Sequence, residues 1–329
     1  MDVLVIDWRT GALRPRSGGS PRALRSPAVA IGNFDGVHVG HRALLALALA
    51  GARARARGGE AAVLTFEPHP AKVLAPTLAP PLISGLERKL ELFAEAGMDA
   101  CALVPFTPEV AAHRAEAFEG EILARALGVR EVVVGHDFTY GRRREGTADT
   151  LRAAGAARGF AVTVVPPVTV DGLVASSTKI RELLLEGNVE GARVLLGRPF
   201  DVDGTVVRGD GRGRRIGVPT TNVAAEAELL PRPGVYGAHV TVLGEPGLPA
   251  PRAAVVNLGV NPTFVAAGKL SLEAHLLDFA GDLYDRRVRV AFDFRLRGEE
   301  RFADADALVA QIRRDIDTAR ARFRGAEQP

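Results

Sequence analysis

A chain of 329 residues with 47% hydrophobic and 25% charged content has the make-up of a globular protein with substantial cores, which excludes disorder, collagen and coiled coil. At about 150 residues per domain, the length suits two domains. The formal net charge is only +3, from 42 basic and 39 acidic residues.

The pI of about 9.3 comes from 38 arginines set against 4 lysines, because guanidinium stays charged far above the lysine range. It reflects arginine usage rather than a nucleic-acid footprint. The longest apolar run, Ala43–Ala52, is too short to cross a bilayer. Met1–Val5 lacks the basic and apolar blocks of a signal peptide. One cysteine, Cys101, excludes an intrachain disulfide and a cysteine-based zinc site. The expected compartment is the cytoplasm, with no membrane and no nucleic-acid partner.

In chain order, Leu13–Ser26 is rich in Arg, Gly, Ser and Pro and reads as a mobile loop. Short apolar runs follow at Ala28–Ile31, Ala61–Phe66, Ala100–Val104, Glu131–Val134 and Ala161–Val165. Helical patterns fall between them at His41–Arg57, Leu86–Ala96, Glu116–Leu127 and Thr150–Arg158. Near-continuous apolar strands alternating with helices predict an α/β domain, a parallel sheet covered on both faces. Arg53, Arg55 and Arg57 read as a solvated helix end, since no aromatic residues interleave for base stacking.

Past residue 200 the pattern changes to short β-rich runs: Val202–Val207, Val235–Val242, Ala253–Leu258, Leu270–Leu277 and the strictly alternating Val288–Leu296. Such spacing predicts a small closed barrel. Leu308, Ile312 and Ile316, four apart, mark one face of a terminal helix over Ala303–Arg322. The two domains, 1–187 and 188–329, join near Glu186–Gly191.

Gly32-Asn33-Phe34-Asp35-Gly36-Val37-His38-Val39-Gly40-His41 follows the first core strand and opens its helix. Glycines let backbone approach a ligand, and a helix N-terminus favours phosphate. His38 and His41 can face one ligand and donate to an α-phosphate as charge gathers on it. Two readings compete: a metal site, for which no third ligand lies nearby and the spacing differs from the zincin pattern, and unremarkable helix-start residues, against which two histidines in one Gly-Asn-Phe-Asp-Gly turn after a buried strand argue. No Walker A sequence occurs. Ser176-Ser177-Thr178-Lys179-Ile180-Arg181 opens another helix with hydroxyls and cations suited to nucleotide phosphates; alone it is also an ordinary N-cap.

An early histidine turn and a late Ser/Thr/basic loop resemble the HIGH and KMSKS-like signatures of the nucleotidyltransferases. Together with Phe66-Glu67-Pro68-His69-Pro70, Gly135-His136-Asp137-Phe138, Gly141, Arg144 and Gly146, they are similar to the FMN adenylyltransferase module of prokaryotic bifunctional riboflavin kinase/FAD synthetases. The resemblance implies a Rossmann-like domain converting FMN and ATP to FAD and pyrophosphate. His38 and His41 match its transition-state histidines. Gly32, Asn33, Phe34, Asp35 and Gly36 match the ATP-binding turn, and Ser177, Thr178 and Arg181 the ATP-holding loop. Glu67, Asp137 and Arg144 match the flavin pocket; Asp137 is equally readable as a turn residue after Val132–Val134.

In the β-rich half, Gly204–Gly209, Gly217–Asn222, Pro233–Tyr236, Asn257–Gly259 with Pro262-Thr263, and Glu273–Phe279 resemble the riboflavin kinase module. Alternation puts Leu272, Ala274 and Leu276 on one strand face and Glu273 with His275 on the other. The implied chemistry is γ-phosphoryl transfer from ATP to riboflavin. Glu273 would take the hydroxyl proton, Gly204 and Gly217 would bind ATP, and Thr220 and Asn222 would face Mg2+. Val218, Thr221 and Asn261 depart from the family's commoner Phe, Ala and Arg. The resemblance covers residues 28–322 and leaves the first 25 unexplained. Three other readings are open: one activity with a binding-only partner domain, a flavin-responsive regulator, and an RNA-binding module at Arg212–Arg215. Oligomeric state is left open.

Overall fold

The computed structural model describes residues 1–55, 58–209, 217–244, 251–260 and 270–326. It divides into two compact units, Met1–Ser176 and Ser177–Pro329. The departure at Asn261, the Pro262-Thr263 pair, Arg57 and the arginine cluster Arg212–Arg215 lie outside the described residues. Among the described residues, no helix is long and apolar enough to cross a membrane.

The first unit is built on strands β1 (Asp2–Asp7), β2 (Ala12–Pro15), β3 (Ala28–Ile31), β4 (Ala61–Glu67), β5 (Ala100–Pro105) and β6 (Glu131–Gly135). A hairpin, β7 (Thr139–Tyr140) with β8 (Gly146–Thr147), precedes β9 (Ala161–Val165). Among the described residues the main sheet has the order β2-β1-β5-β4-β3-β6-β9, parallel except for the edge pair β1/β2. Alternation sorts the strand residues between two cores. Val29 and Ile31 join the layer of the helical segment Phe118–Leu127, while Ala28 and Ala30 join that of helices α1 (Val39–Arg53) and α3 (Leu86–Glu95), between which the short α2 (Pro70–Leu74) falls in the chain.

Two expectations change here. The N-terminal stretch left out of the sheet supplies two of its strands, and Leu13 and Leu24 are buried in its core. Arg22 pairs with Glu60 at 2.6 Å, so Leu13–Ser26 is anchored rather than a free loop. The helix end Arg53/Arg55 is also more than solvated. Arg53 holds Asp99 through both guanidinium nitrogens at 2.9 Å, and Arg55 reaches Glu131 at 3.3 Å. Strand beginnings carry these carboxylates, so the arginines tie α1 to the sheet. The stretch read as Glu116–Leu127 begins with one α-turn, Ala115–Ala117, and continues with the wider π-type winding over Phe118–Leu127.

The strand order places β4 and β6 on opposite sides of β3. From β3 the chain goes on to β4 on one side, and from the adjacent β6 the next strand of this sheet, β9, lies on the other; in open α/β sheets the crevice beyond such a switch binds ligands. The segment after β3 is the glycine/histidine turn.

After the small hairpin β10 (Thr169–Val170) with β11 (Leu173–Val174), the second unit opens with helices Ser177–Glu186 and Val189–Leu196. Its six described strands are β12 (Phe200–Val207), β13 (Thr221–Ala225), β14 (Gly234–Val242), β15 (Arg252–Val260), β16 (Leu270–Leu276) and β17 (Arg287–Arg297). They close an antiparallel barrel in the order β12-β13-β16-β15-β14-β17. β13 takes in part of what the sequence suggests is a Pro-Thr-Thr-Asn turn: its Thr and Pro run signals a turn, yet Thr221 and Asn222 pair with β16. The terminal helix Ala305–Ala326 lays Ile316, Ala319 and Phe323 on Val235, Val255 and Phe294. Arg297 clamps it through the buried carboxylate of Asp315 at 2.8 Å.

Candidate functional sites

The turn after β3 is held from three sides. Thr65 on β4 donates its hydroxyl to the Asn33 carbonyl at 3.3 Å. Asp35, buried, accepts from the backbone N–H of Ile83 (2.9 Å) and Ser84 (3.2 Å). Phe34 is wholly buried and packs edge-on against Phe93 of α3, ring centres 5.5 Å apart. The backbone inside this frame is unusual. Phe34 (φ +52°) and Val37 (φ +42°) sit in the left-handed region beside Gly36 (φ +83°). Such a conformation costs side-chain-bearing residues about 1–3 kcal/mol each and persists only where the surroundings impose it.

The turn delivers two imidazoles to the start of α1. His38 is the N-cap, and its Nδ1 accepts the His41 backbone N–H at 3.3 Å. An accepting Nδ1 puts the proton of the neutral ring on Nε2. The His38 and His41 rings stack, 3.6 Å between centres with a 21° tilt. Gly40 makes room for this: a Cβ there would lie 3.0 Å from His38 Cε1. His41 lies edge-on to Phe34 at 5.2 Å, and its Nδ1 is shut away with no hydrogen-bond partner. Burial, then the neighbouring His38 and Lys89, push His41 well below the ordinary histidine value of 6.5. It is a neutral ring.

The other expected residues of this half occupy distinct positions. Glu67 ends β4, two strands' width from β6. Asp137 lies in the turn that the Phe138 N–H closes onto the Gly135 carbonyl, with its carboxylate 82% exposed. Arg144 is exposed at positive φ and donates from Nε to Thr139 Oγ1 at 2.9 Å. Ser177, Thr178 and Arg181 open the first helix of the second unit. Cys101 is buried in the sheet and its thiol is pushed up to about 12, so it offers no nucleophile at neutral pH.

Sequence reading missed two features here. Phe66 at the end of β4 and Phe106 just past β5 form an edge-on pair, ring centres 5.6 Å apart, only partly buried at the carboxyl edge of the sheet. Lys89 of α3 is buried beneath the turn. A lysine inside an amphipathic helix was the available signal, but helix surfaces carry lysines by default.

In the barrel, strand register assembles the site. Asn222 of β13 lies directly opposite Glu273 of β16, and on the other side of Glu273 lies Asn257 of β15. Leu272, Ala274 and Leu276 are buried, so Glu273 and His275 point to the opposite face, as alternation predicts. Ser271 donates its hydroxyl to Glu273 Oε1 at 3.5 Å, and His275 Nδ1 meets the Pro219 carbonyl at 2.8 Å. The second contact pins the segment carrying Thr220. Thr220 lies immediately before β13, and Asn222 is the second residue of that strand. Asn257, first residue of the Asn257–Gly259 motif, is joined to this row by the strand pairing. Gly217 is exposed just before this segment. Gly204 is inside the barrel wall, where a Cβ would come 2.5 Å from the Ala224 carbonyl oxygen; strand packing alone requires a glycine there.

Comparison with known proteins agrees with this two-part architecture. The FAD synthetase family model matches residues 20–179 and the riboflavin kinase model residues 196–323. The chain is 43% identical over 294 residues to the bifunctional riboflavin kinase/FMN adenylyltransferase of Escherichia coli K12, covering 89% of this chain and 91% of that one. It is 41% identical to the protein of the same description from Pseudomonas fluorescens, covering 90% and 93%. A solved structure from Streptococcus pneumoniae, described as a macrolide-efflux protein, is 29% identical with a TM-score of 0.82, covering 97% of this chain and 99% of its own. The chain belongs to the bifunctional riboflavin kinase/FMN adenylyltransferase family.

Proposed function

We propose that the two activities of this family, FAD formation from FMN and FMN formation from riboflavin, rest on the histidine turn and on the Glu273 row respectively. Residues 1–187 form the adenylyltransferase part and residues 188–329 the kinase part. The observation that carries the first assignment is the stacked His38–His41 pair at the head of α1, with His41 held neutral.

In adenylyl transfer, the terminal phosphate oxygen of FMN attacks the α-phosphorus of ATP. The α–β bond breaks and pyrophosphate leaves. Negative charge builds on the α-phosphoryl oxygens, and preorganised N–H donors in a water-poor site stabilise it. His38, with its proton on Nε2, and His41 are those donors. Gly32, Asn33, Phe34, Asp35 and Gly36 shape the cradle, and Ser177, Thr178 and Arg181 bind the nucleotide. Glu67, Asp137 and Arg144 line the flavin side, and the part-exposed Phe66 and Phe106 rings supply flat apolar surface for an isoalloxazine.

In phosphoryl transfer, the ribityl 5′-hydroxyl attacks the γ-phosphorus, its proton passes to Glu273, and ADP leaves. Positioning carries most of such catalysis. Asn222 and Asn257 flank Glu273 in register and orient it, while Gly204 and Gly217 belong to the ATP side. Magnesium prefers oxygen ligands and keeps waters and substrate phosphates around it. The side-chain oxygens of Thr220 and Asn222, at the start of β13 where Asn222 lies opposite Glu273, fit that habit. Among the described residues no cluster of three His, Cys, Asp or Glu competes for a metal. Mg2+ arriving with ATP would neutralise charge on the β- and γ-phosphates.

The test is purified protein with riboflavin, ATP and Mg2+, with flavins separated over time. FMN should rise and then decline into FAD. Accumulating FMN with no FAD would remove the histidine-turn assignment. FAD from added FMN but none from riboflavin would remove the Glu273 assignment.

A further inference from the structure

Lys89 is a lysine with almost no exposed surface, inside a unit whose other buried charges are few. Its position follows from how α3 is attached. The N–H groups of Ile83 and Ser84 are tied to Asp35 Oδ1, and α3 begins two residues later, so the histidine turn fixes where the helix starts. Lys89 and Phe93, four apart, share one helix face. Phe93 touches Phe34, which touches His41. Helical side chains lean toward the N-terminus, so the Lys89 ammonium is directed from this face toward the Asp35 side of the turn.

We propose that Lys89 is a positioning residue of the adenylyl-transfer site, a buried cation that balances the Asp35 and Glu67 carboxylates and governs the electrostatics of the histidine turn from below. This rests on the reading of His38 and His41 given above. Burying an ammonium is costly and persists where nearby opposite charge offsets it. Burial lowers the Lys89 pKa, and Glu67, Asp35 and Cys101 draw it back up against Lys72. On His41 act its own burial, the stacked His38 and the Lys89 charge, all in the same direction; Phe34, the ring edge-on to it, carries no charge.

Two consequences separate this role from simple packing. Without the ammonium, Asp35 and Glu67 lose a buried cation beside the place where a triphosphate arrives, with Arg16 still acting on Glu67, so the KM for ATP rises. His41 also loses one of the influences that keep it neutral, so it takes up a proton at higher pH.

Lys89→Met keeps the side chain's length and removes the charge; Lys89→Gln keeps polarity as well. In FAD formation from FMN, each should raise the KM for ATP roughly tenfold, as loss of one partly screened opposite charge would. Each should also move the acid limb of kcat/KM upward, while FMN formation from riboflavin is unchanged. Histidine NMR on the full chain reads the same change without turnover: the His41 titration midpoint should move up in both variants. That second readout needs no activity. If His41→Ala leaves FAD formation intact, the reading of the site fails while the titration still judges Lys89. Folded variants with an unmoved His41 midpoint and an unmoved acid limb overturn the proposal. So would a Lys89→Gln chain that does not fold, since the cation would then serve the fold rather than the site.

Discussion

The histidine turn and the Glu273 row draw their geometry from different lengths of chain. The turn packs His38, His41, Phe34 and Asp35 into ten consecutive residues, and the tertiary structure only holds it in place through Thr65, Ile83 and Ser84. The barrel row takes Asn222, Asn257 and Glu273 from three strands, and nothing local links them except register. The first arrangement concentrates strain and burial: two side-chain-bearing residues at positive φ, a stacked imidazole pair and a lysine with almost no exposure. The second is shallow, with Glu273 part-exposed on a wall that closes the barrel. A buried turn depends on the few groups that hold it, whereas a strand row inherits its geometry from the whole barrel. The two sites should therefore fail in different ways.

The sharpest division is a crossed pair of substitutions. Glu273→Gln keeps shape and hydrogen bonding but removes the proton acceptor, and should lower FMN formation by about 10²–10⁴-fold while FAD formation from supplied FMN continues. His41→Ala removes one donor from the turn and should lower FAD formation by about 10²–10³-fold with FMN formation intact. Both are read by separating flavins from parallel reactions. If either variant lost both activities together, the two sites would not be separate, and the comparison would collapse.

How much of this was legible in the sequence follows the same division. Continuous motifs were readable: the turn after β3, the alternation around Glu273, and the strands Ala28–Ile31 and Ala161–Val165, whose limits hold in the structure. Apolar runs and glycine-rich turns are local signals, and local structure obeys them. The strands β1 and β2 were not readable, because a two-strand edge interrupted by Arg, Gly and Pro gives no long period, and its burial comes from the neighbouring β5 and the Phe118–Leu127 layer. β13 was hidden by turn residues that pair with β16 all the same. The place of Asn257 beside Glu273 and the burial of Lys89 escaped for one reason. Each residue is an ordinary polar one until pairing or burial gives it a neighbour far along the chain.

A smaller effect tests how much the turn depends on its buried ring. Phe34→Ala empties a fully buried position between His41 and Phe93 and should cost the first unit about 3–5 kcal/mol. Trp8 is the chain's one tryptophan and lies in the first unit, edge-on to His113 at 4.4 Å. Its fluorescence in urea therefore reports this unit. The midpoint should fall while riboflavin kinase activity in the absence of denaturant stays near that of the parent chain. An unmoved midpoint would shift the support of the turn from the ring to the Asp35 bonds.

The smallest expected effect comes from the neutral state of His41 and concerns stability rather than rate. Burial, with His38 and Lys89, lowers its folded value below the ordinary 6.5. Between those two values the unfolded chain holds a proton that the folded chain refuses, so stability rises with pH across the window. The contribution is complete above 6.5, and it drains away as pH falls from 6.5 toward the lowered folded value. His41→Asn has no proton to take up there. The urea midpoint of the first unit, measured at steps from pH 7.5 downward, should fall less steeply in this variant than in the parent. Parallel profiles would mean that His41 meets water often enough to be protonated in place. The turn would then be as open as the barrel wall, and the contrast between the two sites would reduce to one of chain length alone.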